Sequence, residues 1–84
     1  MIGMEQARSV ARALLVKVKV QSRPHAIVLM SGEPVIRRCE QRDHLTRDVW
    51  TKYPNVLVGI YDGRARLDDI ADDIVAVARG EYSR

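Results

Sequence analysis

The sequence predicts a small α+β domain, in the order helix, strand, strand, (strand), helix, strand, helix. Three observations predict it. Apolar residues recur at three- and four-residue steps near both ends of the 84-residue chain, which marks amphipathic helices. Between them, Ala26–Met30 and Asn55–Tyr61 are short apolar runs of strand length. Hydrophobic residues make up 46% and charged residues 30% of the chain, a globular balance that excludes a disordered tail. Phe is absent, so the core must be built from Val, Ile, Leu and Ala. The length fits one domain, residues 1–84. A domain this small buries only roughly 60–65% of its unfolded surface, and many such chains complete their core on a partner.

The first helix starts near Met4. Ala7, Val10, Ala11, Leu14, Leu15 and Val18 share one face with it, and Arg8 and Arg12 lie one turn apart on another. The segment Val16-Lys17-Val18-Lys19-Val20 alternates as a half-buried strand would, and three β-branched valines in five residues favour a pleated sheet. The favoured division is a helix over 4–15 and a strand over 16–21. The rival is one helix continuing to about Val20. Ser22-Arg23-Pro24-His25 reads as a turn.

Ala26–Met30 is then a strand, and Ser31-Gly32 a two-residue hairpin turn. The return strand covers Glu33–Arg38, with Pro34 tolerable at a sheet edge. A helix opening at Ser31 is disfavoured, because Pro34 would fall at its third position and not its first. A single glycine makes a phosphate-cradling loop improbable as well. Asp43 caps a second helix carrying Leu45, Val49, Trp50 and Tyr53, stopped by Pro54. Asn55–Tyr61 does not alternate and should be covered on both faces, with Gly59 marking a bulge or a close approach. Asp62-Gly63 turns the chain. The last helix carries Leu67, Ile70, Ala71, Ile74, Val75 and Ala78 on one face, with Asp68 and Asp69 in its first turn, Arg79 in its last and Gly80 as its stop.

The single cysteine, Cys39, excludes an internal disulfide and a Cys-rich zinc site. MIGMEQARSV has no long apolar region, and no run approaches a membrane span. The expectation is a cytoplasmic chain of prokaryotic or phage origin with no membrane role. His25 and His44 read as surface histidines, since neither has a repeated ligand spacing. A nucleophilic Cys39–His pair lacks a second signature, so the thiol is expected to be buried or idle. No enzymatic activity, cofactor or metal is expected.

Charge is distributed unevenly. Residues 1–42 hold eight Lys/Arg against three acids, a net +5, whereas residues 43–84 hold six against eight, a net −2. A basic front and an acidic back suit two surfaces with different partners. Arg8, Arg12, Lys17, Lys19, Arg37 and Arg38 are the candidates for contacting duplex DNA, where fixed cations meet phosphates. Asp68, Asp69, Asp72 and Asp73, with Tyr82, are the candidates for a protein partner. The 68/72 and 69/73 spacings could serve a metal, but a solvated or partner-docking face is the commoner use.

Gln6–Leu45 (QARSVARALLVKVKVQSRPHAIVLMSGEPVIRRCEQRDHL) resembles the Phd/YefM-type antitoxins. Ala7-Arg8, Pro24, Ile27 and Gly32-Glu33-Pro34-Val35-Ile36 fall in that family's order. Arg37, Arg38 and Lys19 depart from it, standing at or near positions that are usually apolar. The resemblance implies a homodimer whose N-terminal part binds operator DNA through Arg8, and whose C-terminal part neutralises a toxin. The broader reading places the chain among non-enzymatic inhibitor, immunity or assembly proteins that bind a host complex through charged surfaces.

Overall fold

The computed structural model describes residues 2–39 and 57–80. Their order is α1 (Met4–Gln21), β1 (His25–Met30), β2 (Glu33–Arg38), β3 (Leu57–Tyr61) and α2 (Leu67–Ala78). The expected helix opening at Asp43 lies outside the described residues, as do His44, Trp50 and Tyr82.

One helix, and no strand, occupies residues 16–20: α1 runs unbroken to Gln21. The helical period decides the matter. Ala7, Ala11, Leu14 and Val18 are buried, and only that spacing aligns them on one face. Val16 and Val20 are then turned outward, 61% and 76% exposed. A strand would have put all three valines on the same side. Ser22 ends the helix in the left-handed conformation, φ 52°, and Pro24 follows where it cannot extend the helix.

β1 is the central strand of a three-stranded antiparallel sheet ordered β2-β1-β3. Its side chains alternate between two buried layers. Ile27 and Leu29 join α1 and α2 in the main core, with Leu14, Ile70, Ala71 and Ile74. Ala26 and Val28 join Leu57 in a second cluster, flanked by Met30, Val35 and Ile60. Both described helices contribute to the first cluster and neither to the second. The sheet is thus buried on both faces, as the unbroken apolar runs require.

The β1–β2 hairpin closes through Ser31 and Gly32, at φ 53° and 81°, with Met30 paired to Glu33. Two successive positive φ angles make the twist-matched two-residue turn. On the other side, the β1–β3 register slips between Ile27 and Val28, which pair with Gly59 and Leu57. Val58 is therefore the extra residue of a bulge, and it enters the main core. Gly59 serves a close approach: a Cβ there would stand 2.6 Å from the Tyr61 hydroxyl.

His25 departs from its expected surface position. It is 1% exposed, because it opens the central strand between Arg38 and Tyr61. Its Nδ1 lies 3.1 Å from the Arg23 carbonyl oxygen. A carbonyl only accepts, so Nδ1 carries the hydrogen and donates. Nε2 is buried with no partner among the described residues.

Two predictions follow from the turn and the helix. Ser31→Asn, which tolerates the left-handed region better, should raise stability by about 0.5 kcal/mol, and Gly32→Ala should lower it by about 1 kcal/mol, both read by urea denaturation. Val18→Ala should cost about 1–2.5 kcal/mol, whereas Val16→Ala should be neutral or slightly stabilising. Equal losses at the two valines would contradict the helical assignment.

Candidate functional site

The six cations expected to meet DNA fall in three places. Arg8, Arg12 and Lys19 repeat at four- and seven-residue steps and share one flank of α1. That flank faces α2, because Arg8 Nε lies 3.4 Å from Asp68 Oδ1. Lys17 lies on the opposite flank, three turns on from Gln6, whose Nε2 donates to Glu33 Oε2 of β2 at 3.3 Å. Arg37 and Arg38 sit on β2 and alternate across the sheet. Arg37 pairs with Ala26 on the second-cluster side, and its Nη2 reaches Met30 Sδ at 3.2 Å. The structure therefore gathers Arg8, Arg12 and Lys19 and separates the other three from them.

The acidic set divides similarly. Asp68 is tied to Arg8 on the α1 side. Asp73 accepts a hydrogen bond of 2.8 Å from the Tyr61 hydroxyl on the β3 side. Asp69 and Asp72 remain exposed, one turn apart on the outer side of α2. Among the described residues no three His, Cys, Asp or Glu side chains come together in a group that could hold a metal ion.

Two contacts fix how the helices run. Gly63 lies beside Val18, and five residues later Asp68 meets Arg8, ten residues earlier on α1. α2 therefore runs back towards the start of α1. The result is a layer of two antiparallel helices with one outer face. Basic residues line its α1 half and exposed aspartates its α2 half.

Sequence reasoning missed two features. Val16 and Val20, four residues apart, make an exposed apolar pair opposite the buried stripe of α1. An open groove of about 560 Å³ separates the end of α1 from the β3–α2 loop, and neither valine lines it. Leu15, Val18, Pro24 and Ala65 supply its apolar lining, and Lys19 and Asp62 are at its polar margin. The signal for the valines was available in the sequence: once Val18 is assigned to the helical stripe, its neighbours two residues either way must face outward.

Cys39 and His25 lie at the same end of the β1–β2 pair. Cys39 is fully buried, and its amide donates to the Pro24 carbonyl at 3.1 Å. Neither residue lines the groove. Among the described residues, no helix is long and apolar enough to cross a membrane. No family model, curated protein or solved structure matches the chain. The likeness of Gln6–Leu45 to the Phd/YefM-type antitoxins therefore rests on the residues quoted for it.

The Tyr61–Asp73 bond clamps β3 to α2 over Gly59. Tyr61→Phe should lower stability by about 1 kcal/mol. The Arg8–Asp68 pair joins side chains 49% and 77% exposed, so a double-mutant cycle across it should return no more than about 1 kcal/mol, falling with added salt.

Proposed function

We propose that the chain is a small non-enzymatic, cytoplasmic protein that binds a macromolecular partner through the outer face of its helical layer, in the manner of a phage or bacterial inhibitor, immunity or assembly protein. The observation that carries this reading is the exposed pair Val16 and Val20, 61% and 76% exposed, set among Arg12, Lys17 and Lys19. An apolar centre with a charged rim is the anatomy of a protein-recognition patch. The chemistry it fits is a protein surface with an apolar contact ringed by carboxylates.

Duplex DNA is the second reading, supported by Arg8, Arg12 and Lys19 projecting from one flank of a single helix. Cations held at regular helical spacing can follow phosphates. Together with the Phd/YefM resemblance, this describes an operator-binding antitoxin that uses its C-terminal half against a toxin.

The two readings separate in one experiment. Tagged protein and its Arg12→Glu/Lys19→Glu variant are offered bacterial lysate with and without nuclease. The protein-binding reading expects a specific partner, resistant to nuclease, whose affinity drops at least tenfold in the variant. The DNA reading expects retention on duplex DNA that falls steeply above about 50 mM salt and weakens with Arg8→Ala. Identical capture by wild type and variant would rule out the helical face for either role.

A further inference from the structure

We propose that the outer face of α1 takes one helix of another protein, packed along it as in a two-stranded coiled coil, with apolar residues in its seam and carboxylates at its edges. This rests on the reading that the helical layer is a binding face, and it names the kind of element that binds there.

The spacing of the exposed residues carries the inference. Ser9, Ala13, Val16 and Val20 follow one another along α1 at steps of four, three and four, and all of them are exposed. The buried stripe of Ala7, Ala11, Leu14 and Val18 has the same steps on the opposite side. Alternating three- and four-residue steps are the repeat of a coiled-coil seam, which keeps one line of side chains against a neighbouring helix. α1 therefore carries two such seams. Its own fold fills one. The other is open, with Val16 and Val20 61% and 76% exposed. From Ser9 to Val20 the open seam is about 16 Å long, a span that three turns of a partner helix cover. Ser9 and Ala13 are small, so close packing at that end calls for larger side chains, such as leucine, on the partner.

The flanking charges say what the partner carries. In a coiled coil, the positions beside the seam meet the edges of the other helix. Here they hold Arg12 and Lys19 on one side and Lys17 on the other, each of them exposed and none in an ion pair among the described residues. Glu5 continues the first edge one heptad before Arg12, beside the polar beginning of the seam. Three cations thus frame the apolar half, and glutamates or aspartates on the partner complement them. The same cations reject a second α1. A parallel pairing sets Arg12 of one copy against Lys17 of the other. An antiparallel pairing that lays the apolar halves together sets Arg12 near Lys19. Both oppose like charges, which is how coiled-coil edges select a different chain.

Two synthetic peptides, offered to the full chain at neutral pH, test the seating. Each has three heptads with leucine in the seam; one carries glutamate at both edges and the other lysine. The glutamate peptide should bind, gain helical far-UV signal and lose affinity as salt is added. The lysine peptide should bind weaker by about tenfold or more. Val16→Asp/Val20→Asp should abolish binding of the glutamate peptide and leave the protein's own far-UV spectrum unchanged, since both sites face outward. Arg12→Glu/Lys17→Glu/Lys19→Glu should reverse the preference, so that the lysine peptide binds the tighter, an outcome that an unfolded variant cannot give. Absence of glutamate-peptide binding at about 100 µM overturns the proposal. So do equal affinities for the two peptides, or a preference that the charge reversal leaves in place. A wild type that ignores the glutamate peptide, yet captures a nuclease-resistant lysate protein through Arg12 and Lys19, ends this proposal and leaves the binding reading standing. Identical lysate capture by wild type and Arg12→Glu/Lys19→Glu removes that reading and this one with it.

Discussion

The close packing of α1 on α2 over one face of the sheet is the constraint from which the rest follows. Ala7, Ala11 and Ala71 are fully buried in the same cluster as Leu14, Ile70 and Ile74. Small side chains on both helices let the backbones approach, and the larger aliphatic residues fill the space down to Ile27, Leu29 and Val58. In a core without Phe, shape is fixed by branched side chains of similar volume, and such packing tolerates added atoms poorly. The helices therefore have little freedom to rotate. Which residues face outward is dictated by which must face in.

That coupling explains what was legible in the sequence. α2 was readable because Ile70, Ala71, Ile74 and Val75 follow one period with no competing pattern. The hairpin was readable because Ser-Gly meets a turn that needs positive φ twice. The end of α1 was ambiguous for a physical reason. Val18 fits both periods, and local β propensity pointed the wrong way until packing against α2 selected the helix. His25 was misread because a polar ring carries no sign of burial by itself. Its place is set by the register of β1 between two neighbours, which is a long-range property. The close approach expected at Gly59 is found, whereas the extra residue of the neighbouring bulge, Val58, is defined only by what pairs across from it.

The charge asymmetry was legible as composition but not as a surface. Basic and acidic residues that belong to separate halves of the sequence meet side by side, because α2 runs back along α1. Arg8 and Asp68, sixty residues apart in the chain, stand 3.4 Å apart. The fold therefore makes one face with two signs of charge, where the sequence suggested two faces with one sign each. Arg37 and Arg38 leave that face altogether, because they belong to a strand at the sheet's edge.

The exposed valines bear on whether that face has a use. In a helix interior, valine is less favourable than alanine by about 0.5 kcal/mol, through restriction of its side chain. Burial normally outweighs that cost, as at Val18. At Val16 and Val20 the solvent-facing side of α1 returns nothing to offset it, and lysine or glutamate would serve solubility and helix formation better. The same surface keeps Arg12, Lys17 and Lys19 around the pair. Helix stability and solvation both argue against this combination in an isolated chain. Contact with another surface would supply the missing burial, and the proposal that the outer face of α1 is a binding face rests on that difference.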